Sequence, residues 1–137
     1  MEINIKTLQL TAEAAVNVDA NTIPSVQEQL SVNTSTQVIV IEMAGDVDSN
    51  TAPLVQEQVL PLAQPGSKIL LDMAKVSYMS SAGLRLLLSL YRQVTRKDGR
   101  LVLMGLSDEI RDTMSITGFL DFFTTCETFD SGLQALK

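Results

Sequence analysis

A chain of 137 residues, 45% of them apolar, is sized for one domain whose core needs no covalent staples. Its net charge of −6 argues against nucleic acid as a partner, since phosphate recognition needs clustered Lys and Arg, and no run of 18 apolar residues exists to span a membrane. There is no histidine, which removes Ser-His-Asp triads, Cys-His pairs and His metal sites together; the single Cys126 reads as a small core residue in a reducing cytoplasm.

The opening stretch, MEINIKTLQLTAEAA, lacks a basic start followed by an apolar block, so no secretion signal is expected. Ile3, Ile5, Leu8 and Leu10 give a broken alternation compatible with a strand. Residues 18–30 (VDANTIPSVQEQL) then match residues 47–59 (VDSNTAPLVQEQV) at nine of thirteen positions, which points to local duplication. Two copies are too few for a solenoid. The second copy is read as part of the fold and the first as an added helix or edge element. The reverse assignment, or exchange of the first copy between chains, stays open.

Residues 37–43 (QVIVIEM) form a strand rich in β-branched residues, ended by Gly45 and Asp46. A further strand from residues 29–36 is expected to pair with it as a hairpin. Asp48, Ser49, Asn50 and Thr51 are good helix-start residues, and Pro53 fits the first turn of a helix carrying Leu54, Val55, Gln58 and Val59. Pro61, Pro65 and Gly66 end it. Residues 68–73 (KILLDM) are nearly all apolar, as in a strand covered on both faces.

The Ser80-Ser81-Ala82-Gly83 turn follows, with Ser as a preferred N-cap. Leu84, Leu87, Leu88, Tyr91 and Val94 then trace one face of a helix closed by Asp98-Gly99. Leu86 and Leu90 lie off that stripe beside Arg85 and Ser89. They are either exposed for a partner groove or part of a wide buried face. The four basic residues between Arg85 and Lys97 read as the solvated face. Residues 100–104 (RLVLM) are another buried strand. Ser107 caps a third helix with Asp108 and Glu109 in its first turn, where the dipole favours negative charge, and Gly118 stops it. Residues 122–129 are read as a last strand, and a short helix from Asp130 or Ser131 holds Leu133 and Leu136. From Gln37 the order is strand, helix, four times over. That implies an α/β fold with a mixed, mostly parallel sheet of four to five strands and about four helices mainly on one face.

Catalytic options are thin. No phosphate-binding glycine loop is present, and no carboxylate cluster has metal spacing. Asp46 and Asp48 could be half a cation site, and Asp72 ends a strand where α/β enzymes often place carboxylates, although capping is the simpler role. The chain is therefore read as neither an enzyme nor a cofactor protein. A small enzyme built on Asp46, Asp48 or Asp72 is the weakest alternative. The serine turn offers more. A phosphoserine brings about −1.5 to −2 charges, and at a helix N-terminus it meets free N–H groups, so it changes a surface without disturbing the interior.

Three pieces in order, QVIVIEMAGDVDSNTAPLV, KILLDMAKVSYMSSAGLRLLLSLYRQ and RLVLMGLSDEIRDTMSITGFLDFFTTCETFDSGLQAL, resemble the STAS domain of bacterial anti-sigma factor antagonists. The most specific parts are the strand ending in Leu-Asp before MSSAGL and the later MSITGFLDFF. The resemblance covers 29–137 as a STAS domain and leaves 1–28 as an N-terminal extension. It implies partner switching: the unphosphorylated protein binds an anti-sigma factor that is also a serine kinase of ATPase-like fold and frees its client. Phosphorylation parts the complex, and a serine phosphatase resets it. The commonest family turn is Asp-Ser-Ser/Thr-Gly, with the acceptor just before Gly. Here that position is Ala82, which cannot be phosphorylated. The Ser-Ser-Ala-Gly variant is common in similar proteins, where the serine nearer the helix is the usual candidate, so the resemblance implies Ser81 as acceptor, with Ser80 as second choice. Asp48 matches a family Asp near the docking surface, which is expected to comprise Asp48, Ser49, Ser80, Ser81, Gly83 and Arg85. A cytoplasmic monomer or weak dimer is expected, with no nucleic acid, no membrane insertion, no metal and no cofactor. The alternative is a STAS-type small-molecule sensor or scaffold without phosphorylation.

Overall fold

The computed structural model describes residues 1–10 and 36–137. Within them, five strands form one sheet in the spatial order β1 to β5: β1 (Glu2–Leu10), β2 (Thr36–Ala44), β3 (Lys68–Lys75), β4 (Arg100–Met104) and β5 (Thr124–Cys126). β1 runs antiparallel to β2, and every later pairing is parallel. Sequence order equals spatial order, so each helical crossover carries the chain to the neighbouring strand. Right-handed crossovers of this kind place their helices on one face.

Those helices are α1 (Ala52–Val59), α2 (Ser81–Arg96) and α3 (Asp108–Ile116). They cover the face carrying Ile41, Met43, Ile69, Leu71, Met73, Leu101 and Leu103, and Val55, Val59, Leu87, Leu90, Ile110 and Met114 pack into the same core. α4 (Phe129–Leu136) lies on the opposite face, where Leu136 joins Val38, Val40, Leu70 and Val102 in a smaller cluster. β3 is central, so Ile69, Leu70 and Leu71 are all buried. That is why KILLDM reads as a continuous apolar run and not as an alternation.

The capping residues behave as their chemistry dictates. Ser80 and Ser107 accept N–H bonds from Gly83 and Ile110, Pro53 sits in the first turn of α1, and Gly118 (φ +79°) ends α3 in a left-handed turn.

Three expectations need correction or completion. The antiparallel partner of β2 among the described residues is β1, in register from Glu2↔Ala44 to Leu10↔Thr36. Of the expected strand 29–36, Thr36 alone lies within the described residues, where it begins β2; the first copy of the repeat, residues 18–30, lies outside them. The last strand has three residues instead of spanning 122–129. A 3₁₀ turn takes Leu120–Phe122, and a reciprocal capping box between Thr128 and Ser131 starts α4 at Phe129. Leu86 and Leu90 are buried, at 7% and 2% exposure, while Leu88 and Tyr91 are half-buried. α2 packs against both β4 and α1, so a broad face is covered and the wide-face alternative holds.

Candidate functional site: the serine turn and its neighbouring loop

The turn is built by extending the parallel pairing of β2 and β3 beyond the strands. The chain leaves β2 through Gly45 (φ +112°), whose N–H donates to the Lys75 carbonyl at 3.0 Å. Val47 then forms an isolated parallel bridge with Met79: the Val47 N–H donates to the Tyr78 carbonyl and the Val47 carbonyl accepts from the Ser80 N–H, each at 2.9 Å. The Ser77 hydroxyl donates to the Asp46 carboxylate at 3.0 Å, adding a side-chain tie between the same two segments. The site thus sits beyond the carboxyl ends of parallel strands, where α/β sheets present loops.

Gly83 allows α2 to dock on this bridge. A Cβ there would lie 2.6 Å from the Val47 carbonyl oxygen and 2.6 Å from Met79 Cγ. Gly83 is buried, so its expected place on the docking surface is corrected: it positions the turn from beneath. Ser80 is the N-cap. It is half-buried, its N–H is held by Val47 and its Oγ accepts from the Gly83 N–H at 3.4 Å. Ser81 is the first residue of α2 and is exposed.

Asp48 organises the start of α1. Its Oδ1 accepts the N–H groups of Asn50 and Thr51 at 2.9 and 3.1 Å, and its carbonyl accepts from Ala52 N–H at 2.8 Å. The Thr51 hydroxyl donates to the Asp46 carbonyl at 2.7 Å and accepts the Asp48 N–H at 2.9 Å. The Thr51 N–H above all, then that of Asn50, hold the Asp48 carboxyl below the usual carboxylate range. The second repeat copy therefore supplies the bridge (Val47), the turn leading into the helix (Asp48, Asn50, Thr51), the helix start (Pro53) and two core residues (Val55, Val59).

Ser49, Ala82 and Arg85 meet in one shallow groove of about 320 Å³ between α1 and α2, with Pro53, Gln56 and Ser89 along its walls. The groove brings together two positions expected from sequence, Ser49 and Arg85, with Ala82, the neighbour of a third, Ser81. Tyr78, 54% exposed beside the turn, was not singled out from sequence. An aromatic residue next to a serine cap was the available signal. Asp72 accepts the Ala74 N–H at 3.0 Å, a local turn contact. Cys126 is free and half-buried, and burial raises its thiol pKa, which keeps it protonated. No helix among the described residues is long and apolar enough to cross a membrane.

The STAS domain family matches residues 29–132, and the chain belongs to it. The relatives it resembles are anti-sigma factor antagonists. BtrV of Bordetella bronchiseptica, classed by name among them, is 34% identical over 70 residues, which cover 51% of this chain and 60% of BtrV. The anti-sigma-B factor antagonist of Bacillus subtilis is 30% identical over 76 residues, 56% of this chain and 70% of that protein. This chain thus spans less than two thirds of BtrV. The solved structure of the Bacillus cell fate determinant SpoIIAA in its phosphorylated form superposes with a TM-score of 0.57 at 20% identity, covering 73% of this chain and 91% of that one. That likeness establishes the fold: a mixed, mostly parallel five-stranded sheet with four helices among the described residues.

Proposed function

We propose that this STAS domain is the antagonist arm of a partner switch. Unphosphorylated, it binds an anti-sigma factor that is also a serine kinase of ATPase-like fold, through the face formed by Ser49, Arg85 and the serine turn. The client of that anti-sigma factor is thereby freed. Phosphorylation of Ser81 ends the complex, and a serine phosphatase restores it. The chain itself carries out no catalysis, needs no cofactor and acts in the cytoplasm. Residues 29–137 form the switching domain, although β1 adds residues 2–10 to its sheet.

The observation that carries this reading is the division of labour between the two serines. Ser80 holds the cap and is tied to Val47, whereas Ser81 stands exposed at the mouth of a 16-residue helix. A phosphate on Ser81 meets unpaired N–H groups and the positive end of the helix dipole, a gain of about 0.3–1 kcal/mol, so the fold tolerates it. The dianion adds to a net charge of −6 at the centre of the docking face. Two relatives support the direction: the Bacillus subtilis protein is named for antagonism of an anti-sigma factor, and SpoIIAA exists in a phosphorylated form.

The test is incubation with a cognate kinase and ATP, followed by phosphosite mapping by mass spectrometry. Phosphate on Ser81 is expected; phosphate on neither Ser80 nor Ser81 ends the proposal. In parallel, Ser81→Ala should keep partner binding but resist dissociation by ATP, and Ser81→Asp should bind more weakly. Unchanged affinity of Ser81→Asp contradicts the electrostatic account.

A further inference from the structure

Arg85 stands one helical turn after Ser81 on the same exposed side of α2. Residues four apart on a helix are neighbours, with Cβ atoms about 5–6 Å apart. Helical side chains also lean toward the N-terminus, so Arg85 covers the turn that begins at Ser81. An acid preceding a base at this spacing is the favourable order. Among the described residues no carboxylate lies within ion-pair distance of Arg85, so its guanidinium has no competing anion there. It borders the groove between α1 and α2 together with Ser49 and Ala82.

We infer that Arg85 is the internal reader of the switch: a phosphoryl group on Ser81 is captured by the Arg85 guanidinium of the same chain. The planar guanidinium offers paired N–H donors that match phosphate oxygens. Modification then does two things to the docking face. It adds a dianion, and it withdraws the one cation that the groove presents among its described lining residues. A partner that held Arg85 in the unphosphorylated state loses that contact at the same moment as it meets the new charge. The arrangement is specific to Ser81. Ser80 is five residues from Arg85, about 140° around the helix, so a phosphate there faces away.

This inference rests on Ser81 being the modified residue, and its test does not depend on any kinase. Phosphoserine is installed at position 81 of the full chain during translation, in the Arg85 protein and in the Arg85→Gln and Arg85→Lys variants. In the Arg85 protein, the Nε–Hε resonance of Arg85 in a ¹⁵N spectrum should move on phosphorylation. The rise in thermal midpoint caused by the phosphate should be about 1–3 °C larger with Arg85 than with Arg85→Gln, with Arg85→Lys between them. Either an unmoved Arg85 resonance or equal midpoint gains in the Arg85 and Arg85→Gln proteins overturns the inference. Failure of a kinase to modify Ser81 would instead strike the proposed function and leave this result standing.

Discussion

Replacing Gly83 by Ala opposes two effects of known size. Alanine is the better helix former by up to about 1 kcal/mol, and Gly83 lies in the first turn of α2 at a negative φ, so that gain is available. Against it stands the new methyl, 2.6 Å from the Val47 carbonyl oxygen and 3.0 Å from Val47 Cγ1. The carbonyl cannot swing away, because it accepts the Ser80 N–H at 2.9 Å within the bridge that positions the turn. Overpacking against fixed atoms costs about 1–3 kcal/mol or more, so the net effect is a loss. Gly132→Ala is the internal control. It sits in α4 with the same propensity gain, but its new methyl meets side-chain ends, Leu70 Cδ1 at 2.7 Å and Cys126 Sγ at 3.0 Å, which can rotate aside. Urea unfolding of both variants, with m checked for constancy, should place Gly83→Ala below Gly132→Ala, and its thermal midpoint should fall by roughly 3–10 °C. A Gly83→Ala protein as stable as wild type would refute the view that the close approach to Val47 holds the turn.

Leu90→Ala should lose about 2–5 kcal/mol in the same assay, because Leu90 is 2% exposed within the main core; a loss near zero would return it to the surface. Ser80→Ala should cost about 0.5–2 kcal/mol, toward the low end because its capping bond is 3.4 Å long, while Ser81→Ala stays within about ±0.5 kcal/mol; reversed costs would exchange the roles of the two serines. Asp48 has a lowered pKa in the folded protein, so its contribution is present above the ordinary carboxylate pKa and fades as pH falls through the lower folded value. Asp48→Asn should therefore reduce stability at neutral pH and remove that part of the acid-limb slope below about pH 4, read by thermal melts from pH 2 to 7; an unchanged slope would contradict the role given to its bonds with the Thr51 and Asn50 N–H groups.

The parts of the fold that could be read from sequence are those whose causes are local. β-branched runs announce β2. Ser80 and Ser107 each precede an apolar periodic stretch, and Pro53 marks the first turn of α1. What escaped depends on contacts between distant segments. The pairing of β1 with β2 bridges residues 11–35 and leaves no local trace. Leu86 and Leu90 are buried because α1 covers the second side of α2, which no periodicity within α2 reveals. β5 is short because Thr128 and Ser131 cap the following helix early. At the site, Ser80 was accessible through its capping chemistry, whereas Ser81 and Arg85 were expected only with the family resemblance. The Val47–Met79 bridge and the Ser77–Asp46 hydrogen bond, whose residues are 31 apart, were accessible by neither route. Gly83 was expected on the docking face together with Ser80 and Ser81, whereas it packs beneath them against Val47 and Met79.

On the proposed function, the bridge between Val47 and Met79 makes the recognition epitope discontinuous. Ser49 and Arg85 come to one groove because two separate loops are laced together after their strands end. An enzyme that modifies Ser81 through this face must therefore recognise a conformation, and a linear peptide spanning residues 76–94 would offer the hydroxyl without the platform that surrounds it.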